Sequence, residues 1–226
     1  MLLCLSAFAG LMAVAMALYP GGTWLDPKAP GHSFFANFLC DLTQPVSLSG
    51  VKNSLGAALA QTGMLFFAGA LAGFFGLVPQ RFGLESRAAP WVRKLGLGTV
   101  LCLIVVPLLP SERFGRFHAA LALVAGTIGI AGALCAVVAL FGARRRALAA
   151  VGASALASAT VAAALFAYYL YDGGPMPLLV PAVQKVAALL VSAWLVAVAV
   201  GVLLEAKETR HDGDTPSISK PPAGLP

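Results

Sequence analysis

Long apolar runs separated by short polar breaks make up most of this chain. Six runs are near or above the ~20 residues that an α-helix needs to cross a ~30 Å hydrocarbon core. They cover residues 1–19, 53–78, 91–109, 112–141, 147–171 and 178–204. Their length and their content of Ala, Leu and Gly favour helices over the short alternating strands of a membrane barrel. The pattern predicts an all-α, polytopic membrane protein, with one six-helix bundle over residues 1–204.

The composition agrees with a membrane protein. Hydrophobic residues make up 59% of the chain and charged residues only 11%, whereas about a quarter of a soluble domain is charged. The net charge of +6 is better explained by basic loops facing the cytoplasm than by nucleic-acid binding. The tail, residues 205–226, is polar and rich in Pro, and it is predicted to be disordered.

Basic residues predict the orientation of the bundle. They cluster in the loops after the second and fourth runs, as Arg81, Arg87, Arg93, Lys94, Arg144, Arg145 and Arg146. The other loops carry fewer basic residues, and acidic residues offset them. The positive-inside rule therefore predicts both termini in the cytoplasm. The first run has an alternative interpretation. Residues 1–19 could form a cleaved signal peptide, since Ala15-Met16-Ala17 resembles a cleavage site, but the missing basic n-region favours retention as a span.

The densest polar cluster lies between the first two runs, in GHSFFANFLCDLTQP, residues 31–45. If residues 33–44 are helical, Asn37, Asp41 and Gln44 share one face, and the segment is an amphipathic helix at the outer interface. Two interpretations stay open. Either the polar face is wet and merely covers the bundle, or Asn37 and Asp41 turn inward over its mouth.

Lys185 lies inside the outer half of the last run. It is about seven residues from the outer end, which corresponds to ~10 Å at 1.5 Å per residue. Its face also carries Pro181, Ala188 and Ser192, and small residues of this kind favour packing against other helices rather than lipid. Buried ionisable groups tend to pair, so we expect Lys185 to pair with Asp41. Snorkelling of the ammonium to the interface is the alternative.

His118 lies about two turns into the fourth run, whose helix we expect Ser111 to cap. Its face is otherwise made of small residues, including Gly115, Ala122 and Gly126. Such a face directs the imidazole into the bundle. His118 would then join Asp41 in an outward-facing polar pocket, although a plain packing role is the alternative.

Four motifs in this chain resemble those of a known family. They are YPGGT after the first run, NFLCDL before the second, LPSERFGRFH in the third outer loop and VPAVQKV at the start of the sixth. Together they resemble a bacterial six-helix membrane family known as domain of unknown function 998, and more distantly the DRAM and Sfk-type membrane proteins. The resemblance covers almost the entire chain. It implies a bacterial cytoplasmic membrane protein, and it supplies no established activity.

The resemblance also implies a set of candidate ligand-binding residues at the family's motif positions: Asn37, Asp41, His118, Gln184 and Lys185. Three departures matter. Cys40 stands where Ser is usual, Thr43 where Gly is usual, and Lys185 where Arg is common. The first weakens any mechanism that uses that serine as a nucleophile, and the third removes bidentate pairing with a carboxylate.

Several kinds of site are not expected. The four cysteines, Cys4, Cys40, Cys102 and Cys135, are scattered, and the three histidines are too few to converge on a metal or a haem. We therefore expect neither a metal nor a cofactor. The glycines of GALAG (69–73), and those at 126, 129 and 132, are interpreted as helix-packing spacers rather than a phosphate-binding loop.

Three classes of function stay open. The favoured one is a non-enzymatic membrane protein whose outer pocket binds a small ligand or a lipid headgroup. A second is an intramembrane lipid-modifying hydrolase with His118 as general base and Asp41 beside it, but the chain lacks a clear nucleophile or metal. A third is a small proton-coupled transporter that uses Asp41 and Lys185, although no repeat halves are visible.

Overall fold

The computed structural model describes residues 1–82, 87–172 and 179–213. Within these ranges the chain forms α-helices and two short 3₁₀ helices, Leu39–Thr43 and Val106–Leu108. The α-helices are α1 Leu2–Leu18, α2 Ser54–Phe82, α3 Ala89–Val105, α4 Ser111–Gly142, α5 Arg146–Asp172 and α6 Val180–Gly213. The predicted all-α class is confirmed.

Five of these helices, α2 to α6, are long and apolar enough to cross a membrane. A multi-pass membrane protein is therefore confirmed. Helix α1 is apolar but has only 17 residues, so a sixth crossing stays a prediction.

Two helices extend past their predicted ends. Helix α2 continues through Pro79 to Phe82, because a proline in the last turn removes only one backbone donor. Helix α6 continues to Gly213, past the predicted end of the sixth run at residue 204. An ion pair between Arg145 and Glu205 ties this extension to the start of α5. Residues 214–226 lie outside the described ranges.

The helices pack in chain order, each against the next. Helix α2 also contacts α4 and α6, so α2 to α6 form a ring, and α1 packs on the outside of α2. Gly69 and Gly73 face α1, where a Cβ at each would lie 3.7 Å from Cys4 Sγ and 3.6 Å from Met1 Cβ. These two glycines are packing spacers, as predicted.

The ring is tightly packed around the aromatic residues of α2 and α6. The rings of Phe74 and Trp194 lie 4.6 Å apart, and both side chains are fully buried. Helix α5 approaches Trp194 so closely that a Cβ on Gly152 would lie 2.4 Å from the indole. A Cβ on Gly96 of α3 would lie 2.2 Å from the Phe75 ring. This part of the bundle therefore has the close packing of a protein interior.

Residues 19–53, which we call the cover loop, fold onto the end of the bundle where α2, α4 and α6 begin. The helix considered for residues 33–44 does not form, since only Leu39–Thr43 is helical. The reason is competition for backbone donors. The Asn37 side chain accepts a hydrogen bond from Ser33 N, and the Asp41 carboxylate accepts one from Phe38 N. In a helix over residues 33–44, Phe38 N would donate to the carbonyl of Phe34, but that carbonyl accepts from Lys185 instead.

Candidate functional site

Asp41 is the centre of the cover loop. Its side chain is buried, and both oxygens accept a hydrogen bond from Trp24 Nε1, at 3.2 and 3.1 Å. Oδ2 also accepts from Phe38 N at 2.7 Å and Asn37 Nδ2 at 3.4 Å, and Oδ1 accepts from Gln44 Nε2 at 3.3 Å. A carboxylate has about four lone-pair sites. The acceptor capacity of Asp41 is therefore used within the protein.

Burial also changes the titration of this carboxyl. It raises the pKa of Asp41 to about 6, although the hydrogen bonds from Phe38, Trp24 and Asn37 and the positive charge of Lys185 act in the opposite direction. Desolvation of the charged form therefore outweighs the stabilisation that the donors supply.

Lys185 anchors the cover loop to α6. The side chain is only 3% exposed, so it does not snorkel to water. Its ammonium donates to the backbone carbonyls of Phe34, at 2.8 Å, of Asn37, and of Pro181, at 3.4 Å. It also lies 5.2 Å from the centre of the Phe34 ring. The three ammonium protons are thus matched by three carbonyl oxygens.

The expected ion pair between Asp41 and Lys185 is wrong as a direct contact. In the part of the chain that the structure describes, the two groups do not form an ion pair. Asn37 lies between them: its backbone carbonyl accepts from Lys185, and its Nδ2 donates to Asp41. The reason is that four neutral donors already surround the carboxylate, so the ammonium bonds to the loop backbone. The two residues belong to one network but not to one pair.

Two glutamines complete the attachment of the cover loop. Gln184 Oε1 accepts from Leu39 N at 3.0 Å, next to Lys185 on α6. Gln44 Nε2 donates to Ser111 Oγ at 2.7 Å, which joins the loop to α4. The capping role expected of Ser111 is wrong, because Pro110 occupies the cap position and Ser111 is the first residue of the helix.

His118 is buried, as its small-residue face predicted. Nδ1 lies 2.5 Å from the carbonyl oxygen of Leu109. A carbonyl can only accept, so Nδ1 carries the proton. Nε2 is buried, and none of the described residues forms a hydrogen bond with it. His118 therefore ties α4 to the turn after α3, and its described bond does not reach the cover loop.

A cavity of about 640 Å³ lies beneath the cover loop, inside the ring of helices. We call its polar lining residues the rim: Trp24, Cys40, Asp41, Ser111, Arg116, His118, Tyr169 and Gln184. The remaining lining is almost entirely apolar and includes Phe67, Ile130 and Trp194. Along α4 it runs from His118 to Ala133, and along α6 from Gln184 to Leu195. At 1.5 Å per residue these stretches are ~22 and ~16 Å long.

Small residues on α4 and α5 leave this space open. On α5 the cavity is lined by Ala155, Ala159, Ala162 and Ala163. Gly126 on α4 also lines it, and a Cβ there would meet nothing within 4 Å. The prediction of Gly126 as a packing spacer is therefore wrong. Its neighbours Gly129 and Gly132 do pack, since a Cβ on each would lie 3.2 Å from Thr99 and 3.3 Å from Leu95.

The five candidate residues divide into two groups. Asp41, His118 and Gln184 line the cavity, whereas Asn37 and Lys185 belong to the attachment of the cover loop and do not line it. The amide of Asn37 donates to Gly22 O at 2.9 Å, and the ammonium of Lys185 donates to three backbone carbonyls. The structure therefore places the candidate set around a folded loop with a cavity on one side.

The candidate set drawn from the sequence leaves out five rim residues: Trp24, Cys40, Ser111, Arg116 and Tyr169. Arg116 and Tyr169 were expected near Asp41 and His118 in the outer half of the bundle, but not as members of the site. Tyr169 could have been found from spacing. Together with Phe166, Ala162, Ala159 and Ala155 it forms a stripe at intervals of three and four residues, which is one face of a helix. Trp24 gave no periodic pattern, because it lies in an irregular loop.

Comparisons with known proteins give no relative for this chain: no family model, no curated protein and no solved structure matches it. The resemblance to the family of unknown function thus stays an expectation. Among the residues described, no group of three or more His, Cys, Asp or Glu side chains could hold a metal ion.

Proposed function

We propose that this protein is a non-enzymatic membrane protein that binds a lipid or another amphiphilic small molecule in the cavity beneath the cover loop. The observation that carries this proposal is the distribution of polarity in the cavity, with a polar rim at one end and an apolar body below. Ligand sites in proteins commonly have volumes of about 300–1,000 Å³ and are mostly apolar, with a few polar groups that orient the ligand. An amphiphile matches both parts of this cavity.

The depth of the cavity supports a hydrocarbon chain as the buried part. The lining stretches of ~16 to ~22 Å compare with ~15 Å for one leaflet of a ~30 Å hydrocarbon core. A chain from one leaflet would therefore fill the body of the cavity while its polar group stays at the rim.

The arrangement favours binding over the hydrolase and the transporter. Asp41, the proposed acid or proton carrier, has its oxygens occupied by Trp24, Asn37, Phe38 and Gln44. His118 Nδ1 is occupied by Leu109, whereas Nε2 has no partner among the described residues. General acid–base catalysis needs a group within hydrogen-bond reach of the substrate proton. Asp41 is therefore better suited to shaping a site than to exchanging protons, and a hydrolase would depend on His118 Nε2 without the help of this carboxylate.

The remaining parts of the proposal concern location. The basic residues after the second and fourth runs support an orientation with both termini in the cytoplasm, and α1 would then be a sixth crossing. This orientation puts the cover loop and the rim in the outer half of the membrane. The family resemblance supports a bacterial cytoplasmic membrane as its place.

The proposal can be tested by native mass spectrometry of protein purified in a mild detergent. We expect the wild type to retain a lipid-sized adduct. Gly126→Leu should lose it, because the new side chain would extend into the cavity from a position with open space around it. Gly76→Leu is the matched control: it also adds a side chain to a helix glycine with nothing within 4 Å, but outside the cavity lining.

Two outcomes would contradict the proposal. One is a wild type that carries no adduct and gains none when membrane lipids are added back. The other is an adduct that both variants retain equally, since a lipid on the outer surface of the bundle would behave in that way.

A further inference from the structure

The chemistry of the rim specifies the headgroup more closely. Building on the proposed function, we infer that the ligand is a long-chain amphiphile with an anionic headgroup, and that Arg116, Tyr169 and Gln184 bind that headgroup. The inference rests on which rim atoms are already used by the protein and which are still available.

The oxygen acceptors that hold the cover loop are already used. Asp41 receives bonds from four donor groups, and Ser111 Oγ accepts from Gln44. Gln184 Oε1 accepts from Leu39 N. The exception among the rim acceptors is His118 Nε2, which has no partner among the described residues. At every other acceptor named here, a ligand that donates hydrogen bonds, such as an ammonium, would compete with the bonds that hold the cover loop in place.

The donors of the rim are still available. Gln184, Tyr169 and Arg116 all line the cavity, and their side chains carry an amide nitrogen, a hydroxyl and a guanidinium. Across the described ranges none of these three donor groups has a hydrogen-bond or ion-pair partner. Phosphate and carboxylate oxygens are acceptors only, and their bonds to charged donors are about twice as strong as bonds between neutral groups. Such an anion is the headgroup that this donor set fits.

The charge balance of the rim agrees with an anion. The negative charge of Asp41 is met by Lys185 on the far side of Asn37. Arg116 then contributes a positive charge that has no acidic partner among the described residues. Glu112 lies one turn earlier on α4, but the described ion pairs do not join it to Arg116. An anionic headgroup would neutralise the guanidinium, and its planar fork suits phosphate and carboxylate oxygens.

The test compares probes with one hydrocarbon chain and different headgroups. Purified protein, stripped of retained lipid, is titrated with hexadecyl phosphate, palmitate, hexadecanol and hexadecylammonium, and binding is followed by native mass spectrometry. We expect at least one anion to bind roughly tenfold more tightly than the alcohol and the cation, because hydrogen bonds to a charged group are stronger than bonds between neutral groups. Comparing the phosphate with palmitate shows which anion the rim prefers.

Substitutions assign the effect to the rim. Arg116→Met should weaken binding of the preferred anion roughly tenfold, whereas Arg113→Met, on the same helix but outside the lining, should not. Gln184→Glu keeps an oxygen for Leu39 N but removes the donor and adds a negative charge, so it should also weaken that anion. Tyr169→Phe should have a smaller effect, with Tyr168→Phe as its control.

The outcomes separate this inference from the proposed function. Binding that Gly126→Leu abolishes, but that is equal for all four headgroups, would overturn the anionic headgroup and leave the lipid-binding cavity standing. Equal effects of Arg116→Met and Arg113→Met would overturn the role of Arg116. If none of the probes binds and no lipid was retained at purification, both proposals fail.

Discussion

The cover loop and the cavity beneath it differ in how they use their polar groups. Asp41 and Asn37 of the loop, and Lys185 of α6 that attaches it, are buried, and each is bonded to several protein atoms. In the cavity, the lining is mostly Ala, Gly and aromatic side chains, and the donors of Arg116, Tyr169 and Gln184 are still available. The region richest in polar residues is thus the one with least capacity left for a ligand. A site is better recognised by its unused donors and open space than by its density of charge.

Physical chemistry explains this difference. The cover loop has little regular secondary structure, so its backbone groups need other partners where they are removed from water. An unsatisfied polar group costs several kcal/mol in a hydrocarbon environment. Lys185 and Gln184 supply such partners for the backbone of Phe34, Asn37 and Leu39. The polar residues of this segment are therefore explained by its own folding.

The largest effect that tests this comparison is expected for Lys185→Met. Methionine keeps much of the side-chain volume but leaves the carbonyls of Phe34, Asn37 and Pro181 without their donor. A buried acceptor left without its donor costs about 1–3 kcal/mol, and three carbonyls lose theirs here. The free energy of unfolding in detergent should therefore fall by more than about 3 kcal/mol. Cys40 in the cover loop should also become reactive to a thiol reagent, since burial holds its pKa at about 12 in the wild type.

Lys52→Met is the control for this substitution. Lys52 is in the same loop but is exposed, so its loss should change stability by less than about 0.5 kcal/mol. If the two variants unfold alike and Cys40 stays unreactive in both, the loop is not attached through Lys185.

The same contrast explains which features could be predicted from the sequence. The helices were found because run length and apolar content determine where a chain can cross a membrane. Asp41 is buried, which is one of the two alternatives that the sequence left open, and the burial of His118 and Lys185 agrees with the expectation drawn from their small-residue faces. The cavity was missed because a helix face of small residues, such as Gly126 or Ala162, looks the same in the sequence whether it contacts a neighbouring helix or lines a gap. That difference depends on the distance between helices, which contacts elsewhere determine, such as Gly129 against Thr99.

The irregular loop was missed for a different reason. Helical spacing relates Asn37, Asp41 and Gln44 only if the backbone is a helix. Their side chains instead bond to nearby backbone and side-chain donors, and spacing carries no information about that competition.

A second test uses the titration of Asp41. Burial raises its pKa from an ordinary value of 3.8 to about 6, so the folded state holds this proton more tightly than the unfolded state. Its contribution to stability is therefore greatest below pH ~4 and declines as the pH rises through about 6. At 1.36 kcal/mol per pKa unit the decline is at most roughly 3 kcal/mol. Thermal unfolding of the wild type and of Asp41→Asn, measured from pH 4 to 7, should show a stability difference that falls over this range.

The titration of His32 changes stability with pH in the opposite direction, so the experiment needs a variant that removes it. Burial, with the nearby charge of Lys185, lowers its pKa to about 4. Its contribution to stability therefore rises as the pH rises from about 4 to its ordinary value of 6.5. The wild-type profile should be flattened by the two opposing effects, while His32→Gln should expose the fall that Asp41 causes. Parallel profiles for the wild type and Asp41→Asn would show that Asp41 does not titrate in this range.

The smallest expected effects compare two glycines, one in the packed part of the bundle and one at the cavity. A Cβ on Gly152 would lie 2.4 Å from the Trp194 indole, whereas a Cβ on Gly126 would meet nothing within 4 Å. Gly152→Ala should therefore destabilise the protein by about 1–3 kcal/mol, as overpacking of an interior does. Gly126→Ala should be neutral or should stabilise it by up to about 1 kcal/mol, because alanine is the better helix former. The measurement is the free energy of unfolding in detergent.

The sign of the difference between the two alanine variants is more informative than its size. Both substitutions add one methyl group to a glycine of a long apolar helix, so effects of helix propensity and of lipid contact are largely shared. What differs is the neighbour of the new methyl group: an aromatic ring held at the centre of the bundle, or empty space. If Gly126→Ala were as destabilising as Gly152→Ala, α4 would pack against another helix at that position, and there would be no room for a hydrocarbon chain beneath the cover loop.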